Sequence, residues 1–423
     1  MADTLFTNVT VLDCTGEEPF AGEVLVEGNR VKQVGNGENS LARNGAKVVD
    51  GAGGMLMPGL IDSHTHLSIN NTSDLIELAM LPPEEHTLIT MHNAKFYLDR
   101  GITGCISAGS VKPRLDLVIR NAIEAGQIPG PRMLAATPWL TVTGGLGDVR
   151  KLHVQSLESL GLVLDGPEAF RRTVRELIRE GVDLVKLVIS GDTGMTNCRS
   201  WDTLMTDDEV AAAAQIVHAH GRRMNAHARS AESVKMCVRH GVDIIYHANF
   251  ADEEALDMLE ANRDHLFVSP NLGFTSVAVF EGAAWGLSEQ QVKELGFPEE
   301  LEGVCNAMKE LHKRGVRVLG GGDYGFASTP HGNNARDIEH FIKQLDFSPI
   351  EAVMSMTKYC GEAMNLKVGQ IREGYLADMI LVDGDPLADP KILIEPDNLT
   401  AIMKDGVFHK ELAGTRRAVA TEV

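Results

Sequence analysis

Four histidines, one lysine and one aspartate stand at the ends of short apolar runs. His64 and His66 follow MLMPGLID, Lys186 lies inside LVKLVIS, and His227 closes RRMNA. His247 ends DIIY, and Asp323 follows VRVLGGG. Such runs read as buried strands, and strand-end side chains of a parallel barrel converge on one face. Imidazole and carboxylate are metal-ligand chemistry. In a strand, residues two apart point to the same side, so one ion can take a nitrogen from both His64 and His66. His218 and His220 repeat that spacing inside AAAAQIVHAHG, which reads as a helix end, where such side chains diverge; this pair is expected to be structural. Taken singly, His227 or His247 would more often be a satisfied core histidine, and Asp323 could simply be a turn residue after three glycines. Lys186 resists a bland reading, because an ammonium in an apolar strand is costly to bury and rarely buried unpaired. Together the six imply a metal-dependent hydrolase.

The elements that must position these residues follow from periodicity. Residues 4–57 and 370–410 alternate short β-type runs with turns and read as antiparallel hairpin strands. Between them, strand-like runs such as GITGCISAG, PRMLAATPWL and LFVSPNL alternate with helical patterns such as PEAFRRTVRELIREG and SAESVKMCVRHG. Several of those helices end in Gly, a C-terminal signal. Counting from MLMPGLID gives eight strands, the number of an α/β (β/α)8 TIM-type barrel. The expected division is a small β-sandwich from residues 1–57 and 370–423 around a barrel at 58–369. The last residues, AGTRRAVATEV, read as a loosely held tail.

Composition narrows the function classes. The chain has 423 residues, 43% hydrophobic and 23% charged, enough for a large core in an ordinary globular protein. A formal net charge of −20 argues against nucleic acid or an anionic membrane as partner, since both need basic patches. The N-terminus lacks the pattern of a signal peptide, and no apolar run reaches membrane-spanning length. The six cysteines, without C-x-x-C spacing, read as reduced thiols of a cytoplasmic protein.

Several segments carry a resemblance: PGLIDSHTH, GQIPGPRML, LVKLVISGD, AHGRRMNAHA, GVDIIYHANF, GQIREGYLADMILVDGDPL and IMKDGVFHK. Nearly end to end, the chain resembles the metal-dependent amidohydrolase superfamily, in the branch of Xaa-Pro dipeptidases, lysine/arginine carboxypeptidases and imidazolonepropionase-like enzymes. The resemblance implies two divalent metal ions, zinc first, with manganese, cobalt or iron as alternatives. It assigns His64, His66 and Asp323 to one ion and His227 and His247 to the other. Lys186, carbamylated by CO2, would bridge them, and Asp323 would be the catalytic proton carrier. Carbamylation needs the neutral amine, which burial favours. Homo-oligomeric assembly is also implied.

The substrate is where the chain departs from that pattern. Leu146 follows Thr143-Gly144-Gly145 where dipeptidases of the branch usually carry histidine. Arg229 stands where many relatives have tyrosine, and it reads either as a clamp on a substrate carboxylate or as a structural ion pair. The second strand reads Ile106-Ser107-Ala108-Gly109 in place of an Arg-Asp pair. His331, in TPHGNN, is a candidate substrate contact or loop-ordering residue. Trp201, Phe274, Phe280 and Trp285 suggest an aromatic-accepting pocket. The expected reaction is cleavage of an amide C–N bond in a dipeptide or N-acyl amino acid, a small molecule, by metal-activated hydroxide. The alternative is hydrolysis of neutral ureas, carbamates or anilides. Nucleobase-type deamination is disfavoured, because Ser230 occupies the position where those relatives usually carry glutamate.

Overall fold

The computed structural model describes residues 3–154, 158–193 and 197–411; the tail expected from 413 onward lies outside them. Parallel strands run Leu60–Thr65, Ile102–Ser107 and Arg132–Leu134, then Leu184–Val188, Arg223–Ser230, Ile244–Phe250 and Phe267–Ser269. The first three are joined to the rest by a parallel bridge between Ala136 and Leu184. Leu319 N then donates to Val268 O at 2.8 Å, and Ser63 N to Gly320 O at 3.1 Å. Residues 317–320 thus carry the ladder from the seventh strand back to the first, as a TIM-type barrel requires. This eighth strand is reduced to a bridge at Val318, in keeping with the three glycines that follow it.

Strand alternation sorts the side chains. Leu184, Lys186 and Val188 face inward, while Val185 and Leu187 pack outward in the main apolar cluster beneath the helices. The outer helices are amphipathic. Pro167–Glu180 buries Phe170, Val174, Leu177 and Ile178, begins with Pro and stops at Gly181 in the left-handed region. Asp207–Ala219 is fixed by a capping box between Thr206 and Glu209. His218 and His220 lie exposed at its end, apart from the barrel mouth.

Both chain ends build one eight-stranded mixed sheet, in the order Val407–Lys410, Leu399–Lys404, Met379–Val382, Met55–Pro58, Thr4–Val11, Phe20–Glu27 and Arg30–Asn36. The strand Thr4–Val11 branches. Its residues 4–7 pair with 47–50, and residues 10 and 11 pair with 55 and 56. The sheet folds around its own apolar cluster of Phe6, Val24, Leu56, Met379 and Met403. The run MLMPGLID, expected as one strand, is two: Met55–Pro58 belongs to this sheet and Leu60–Thr65 to the barrel. PRMLAATPWL is likewise split. Arg132–Leu134 pairs with Ile102–Ser107, and Trp139–Thr141 pairs with Leu184–Val188 and Gly161–Val163. Among the described residues, no helix is long and apolar enough to cross a membrane.

Candidate metal centre and substrate cavity

His64, His66, Lys186, His227 and Asp323 line one cavity at the C-terminal end of the barrel strands. His247 stands against this group, its ring centroid 4.3 Å from that of His227 and 5.5 Å from that of His64. His64 and His66 bring their Nε2 atoms to 3.1 Å. Asp323 Oδ1 lies 3.4 Å from His64 Nε2 and 3.2 Å from His66 Nε2. Ligand atoms of His64, His247 and Asp323 all fall within 4.8 Å of one another.

Two of these positions are held by backbone that strand geometry does not supply. Ile244 and Tyr246 face into the barrel and Ile245 faces out, so simple alternation would send His247 outward. Its φ is +78° and that of Ala248 is +51°, and this left-handed turn brings the imidazole to the site. Asp323 also sits at positive φ, +62°. Left-handed backbone at a non-glycine residue costs on the order of 1–3 kcal/mol, and surrounding packing must hold it.

The ring nitrogens are oriented individually. His66 Nδ1 donates to Gly109 O at 2.9 Å, leaving Nε2 with its lone pair toward the cavity. His227 Nε2 donates to Gly191 O at 2.9 Å, which leaves Nδ1 for a ligand role. Asn271 Nδ2 reaches both His64 Nδ1 and Gly321 O at 2.6 Å. Burial holds His64, His227 and His247 well below the ordinary histidine range, so all three are neutral and able to donate lone pairs. Burial opposes ionisation of Asp323, yet His64, His66 and Lys186 keep its carboxyl below the usual carboxylate range. Burial also pushes the Lys186 amine down to about 7; its Nζ lies 4.0 Å over the Tyr246 ring. Both nitrogens of His247 and Oδ1 of Asp323 are buried without a protein hydrogen-bond partner. Orphaned lone pairs on neutral imidazoles around a carboxylate fit divalent metal ions.

The remaining cavity wall is apolar: Leu75, Trp139, Leu146, Leu160, Val188, Phe274 and Phe326, with Asp192 and Thr193 as polar exceptions. Its volume is about 190 Å³. Leu146, expected to face a substrate, is part of this wall. Arg229 does not line this cavity. It is 2% exposed and donates to Asp192 Oδ1 at 3.0 Å and Glu300 Oε2 at 3.1 Å, so its guanidinium is already engaged as an ion pair. His331 is also turned away from the cavity. Its Nε2 donates to Ile69 O at 2.7 Å, and its Nδ1 accepts from the Tyr97 hydroxyl at 3.0 Å. Both ring nitrogens are thus used in ordering the loop. Phe280 and Trp285 are exposed and outside the cavity wall, as is Trp201, which packs on Phe250. Of the four aromatics expected in the pocket, Phe274 alone is there.

Residues 55–408 match the Amidohydrolase family. The chain belongs to the amidohydrolase family. Ochratoxinase of Aspergillus niger is 25% identical to this amidohydrolase over 386 residues, covering 84% of this chain and 76% of the fungal protein. A prolidase crystallised with N-methylphosphonate-L-proline aligns with a TM-score of 0.85 and 26% identity, over 97% of this chain and 100% of that one. The Aspergillus niger ochratoxinase structure shares the fold, with a TM-score of 0.84 at 20% identity over 99% of each chain.

This amidohydrolase also places residues beside the site that the strand-end reading did not single out. Asn271 contacts His64, and Tyr246 lies beneath Lys186, its hydroxyl donating to Ser63 O at 2.8 Å. Asp62 accepts from His64 N at 2.9 Å and from Asn334 Nδ2 at 2.6 Å, and burial pushes its carboxyl up to about 8. Asn334 also donates to the Tyr97 hydroxyl, tying the first strand to the His331 loop. Asp192 was visible as the residue closing LVKLVISGD, four positions beyond the end of the strand Leu184–Val188. Glu300, on the helix Phe297–Lys313, had no local signal.

Proposed function

We propose that this amidohydrolase cleaves the amide C–N bond of a dipeptide or N-acyl amino acid with an apolar or aromatic group beside the scissile carbonyl. One observation carries this reading: the histidines, Lys186 and Asp323, with unpartnered atoms on His247 and Asp323, gather at a cavity whose wall is otherwise apolar apart from Asp192 and Thr193. His64, His66 and Asp323 would hold one divalent ion, His227 and His247 the second, and carbamylated Lys186 would lie between them. Ions bound there would acidify a water and polarise the substrate carbonyl, with zinc the first choice for this donor set.

The chain's own residues account for the rest. Asp323, as the carboxylate, takes the proton of the attacking water and passes it to the leaving amine nitrogen. Its left-handed backbone places the carboxylate against His64 and His66. Leu146, Phe274, Trp139 and Phe326 exclude water and grip the apolar part of the substrate. The names of the relatives, a prolidase and an ochratoxinase, agree with amide hydrolysis. Free, scattered cysteines support a cytoplasmic setting, and homo-oligomeric assembly belongs to the same reading.

A specific observation favours a second reading. With Arg229 engaged by Asp192 and Glu300, no arginine, and no lysine besides Lys186, lines the cavity among the described residues. Neutral ureas, carbamates or anilides need no carboxylate clamp. Amine release from matched substrates, N-acyl amino acids in one arm and anilides, carbamates and phenylureas in the other, decides between them. Turnover of the first arm supports the primary reading; turnover confined to the second replaces it.

A further inference from the structure

We infer that Asp192 is a specificity residue that accepts a hydrogen bond from a substrate N–H, so that this enzyme selects secondary amides over N-alkylated, proline-type amides. The inference rests on the amide-hydrolase reading and names the class of amide within it.

Asp192 and Thr193 are the polar wall of a cavity whose other non-ligand residues are apolar or glycine. One carboxylate oxygen of Asp192 is committed: Oδ1 accepts from Arg229 Nη2 at 3.0 Å and from Thr193 N at 2.6 Å. The other, Oδ2, lies 3.9 Å from His227 Nε2, beyond hydrogen-bond reach. His227 Nε2 is in any case bonded to Gly191 O. Among the described residues Oδ2 therefore has no hydrogen-bond partner, and it stands beside the residues proposed to hold the metal ions.

The carboxylate is also built to stay in place. Arg229 behind it is gripped by Glu300 Oε2 and by Asn249 Oδ1, at 3.1 and 3.2 Å. Glu300 Oε1 accepts from the hydroxyls of Thr193 and Ser200, and Gly191 N donates to Asp202 O at 3.0 Å. Thr193 and Ser200 thus tie the segment after Asp192 to the helix Phe297–Lys313, and Gly191 before it is held by Asp202. An acceptor so fixed in an apolar wall discriminates strongly. A substrate with an N–H satisfies it, whereas an N-methyl group or proline ring meets it with carbon and leaves Oδ2 desolvated without a donor.

The test compares kcat/KM of matched secondary and N-methylated amides for the wild type, Asp192→Asn and Asp192→Ala. The pairs are an N-acyl amino acid with its N-methyl analogue and an anilide with its N-methylanilide. The wild type should prefer the secondary amide, and Asp192→Ala should reduce that preference at least tenfold, chiefly through the secondary arm. The Asp192→Asn variant retains an amide oxygen as acceptor and should fall between. Metal content and melting temperature are measured on each variant. A preference unchanged by substitution, or equal losses on both arms with lowered metal content, overturns the inference and makes Asp192 structural. If the wild type hydrolyses neither arm, the amide-hydrolase reading has failed. The selectivity is then read from calorimetric binding of the same amide pairs, where loss of secondary-amide preference in Asp192→Ala supports the inference and its retention overturns it.

Discussion

Arg229 donates to Glu300 across 3.1 Å with neither side chain more than 2% exposed. The pair joins the strand that carries His227 to the helix Phe297–Lys313. Breaking a buried ion pair by removing one partner leaves an uncompensated charge, at a cost of about 3–5 kcal/mol. Arg229→Ala should therefore lower the free energy of unfolding by roughly that amount in denaturant titrations. Its effect on KM should be the same for carboxylate-bearing and neutral substrates. A selective rise in KM for the carboxylate-bearing substrates would return Arg229 to the role of a clamp.

Asn271 touches His64 Nδ1 and Gly321 O from a left-handed position, φ +57°. Outer partners of metal-binding histidines typically contribute about 10–100-fold in metal affinity. Asn271→Leu should weaken zinc binding by that factor in chelator competition, with little change in secondary structure by circular dichroism. Unaltered zinc affinity would mean that His64 is not a ligand or needs no such support.

Lys186 is buried, its amine pushed down to about 7, and it lies among neutral imidazoles. A substantial fraction is therefore unprotonated at neutral pH and open to CO2. Native mass spectrometry in bicarbonate should find a CO2 adduct at Lys186, lost on acidification. Lys186→Met should bind fewer than two equivalents of metal. Full metal loading of that variant would show that the lysine is no bridge.

His331 and His340 are both pushed by burial down to about 4. The unfolded chain takes up their protons near pH 6.5, whereas the folded chain holds them neutral until about pH 4. Their contribution to stability is thus present above about pH 6.5 and is lost as pH falls through that window, by up to about 1.4 kcal/mol per pH unit for each group. His331→Gln should flatten the acid limb of the stability profile. An unchanged slope would place His331 in a protonated state in the fold.

The sequence was readable where a side chain's role follows from its own strand. Lys186 faces inward by alternation, and the strand-end histidines arrive where a parallel barrel delivers them. Glycine marked helix ends such as Gly181 correctly, because only the left-handed stop favours it. His247 was found by its position after DIIY, but the means were hidden: alternation places it outward, and a positive φ reverses this. Arg229 was the harder case, since its partners Asp192 and Glu300 lie 37 and 71 residues away. Nothing local announces a buried pair at that separation. Phe280 and Trp285 misled because aromatic character marks apolar surface without saying which side of the helix it occupies.

The measurement that tests the central claim most directly is metal titration of the chelator-stripped protein with amine release as readout. Zinc or manganese is added to the wild type and to Asp323→Asn, with an N-acyl aromatic amino acid and a matched anilide as substrates. The account predicts that hydrolysis is absent without metal and saturates near two equivalents in the wild type. It also predicts a loss of about 100-fold or more in Asp323→Asn, the size of a general acid–base contribution. Turnover that survives chelation, or that Asp323→Asn leaves near the wild-type rate, would contradict it.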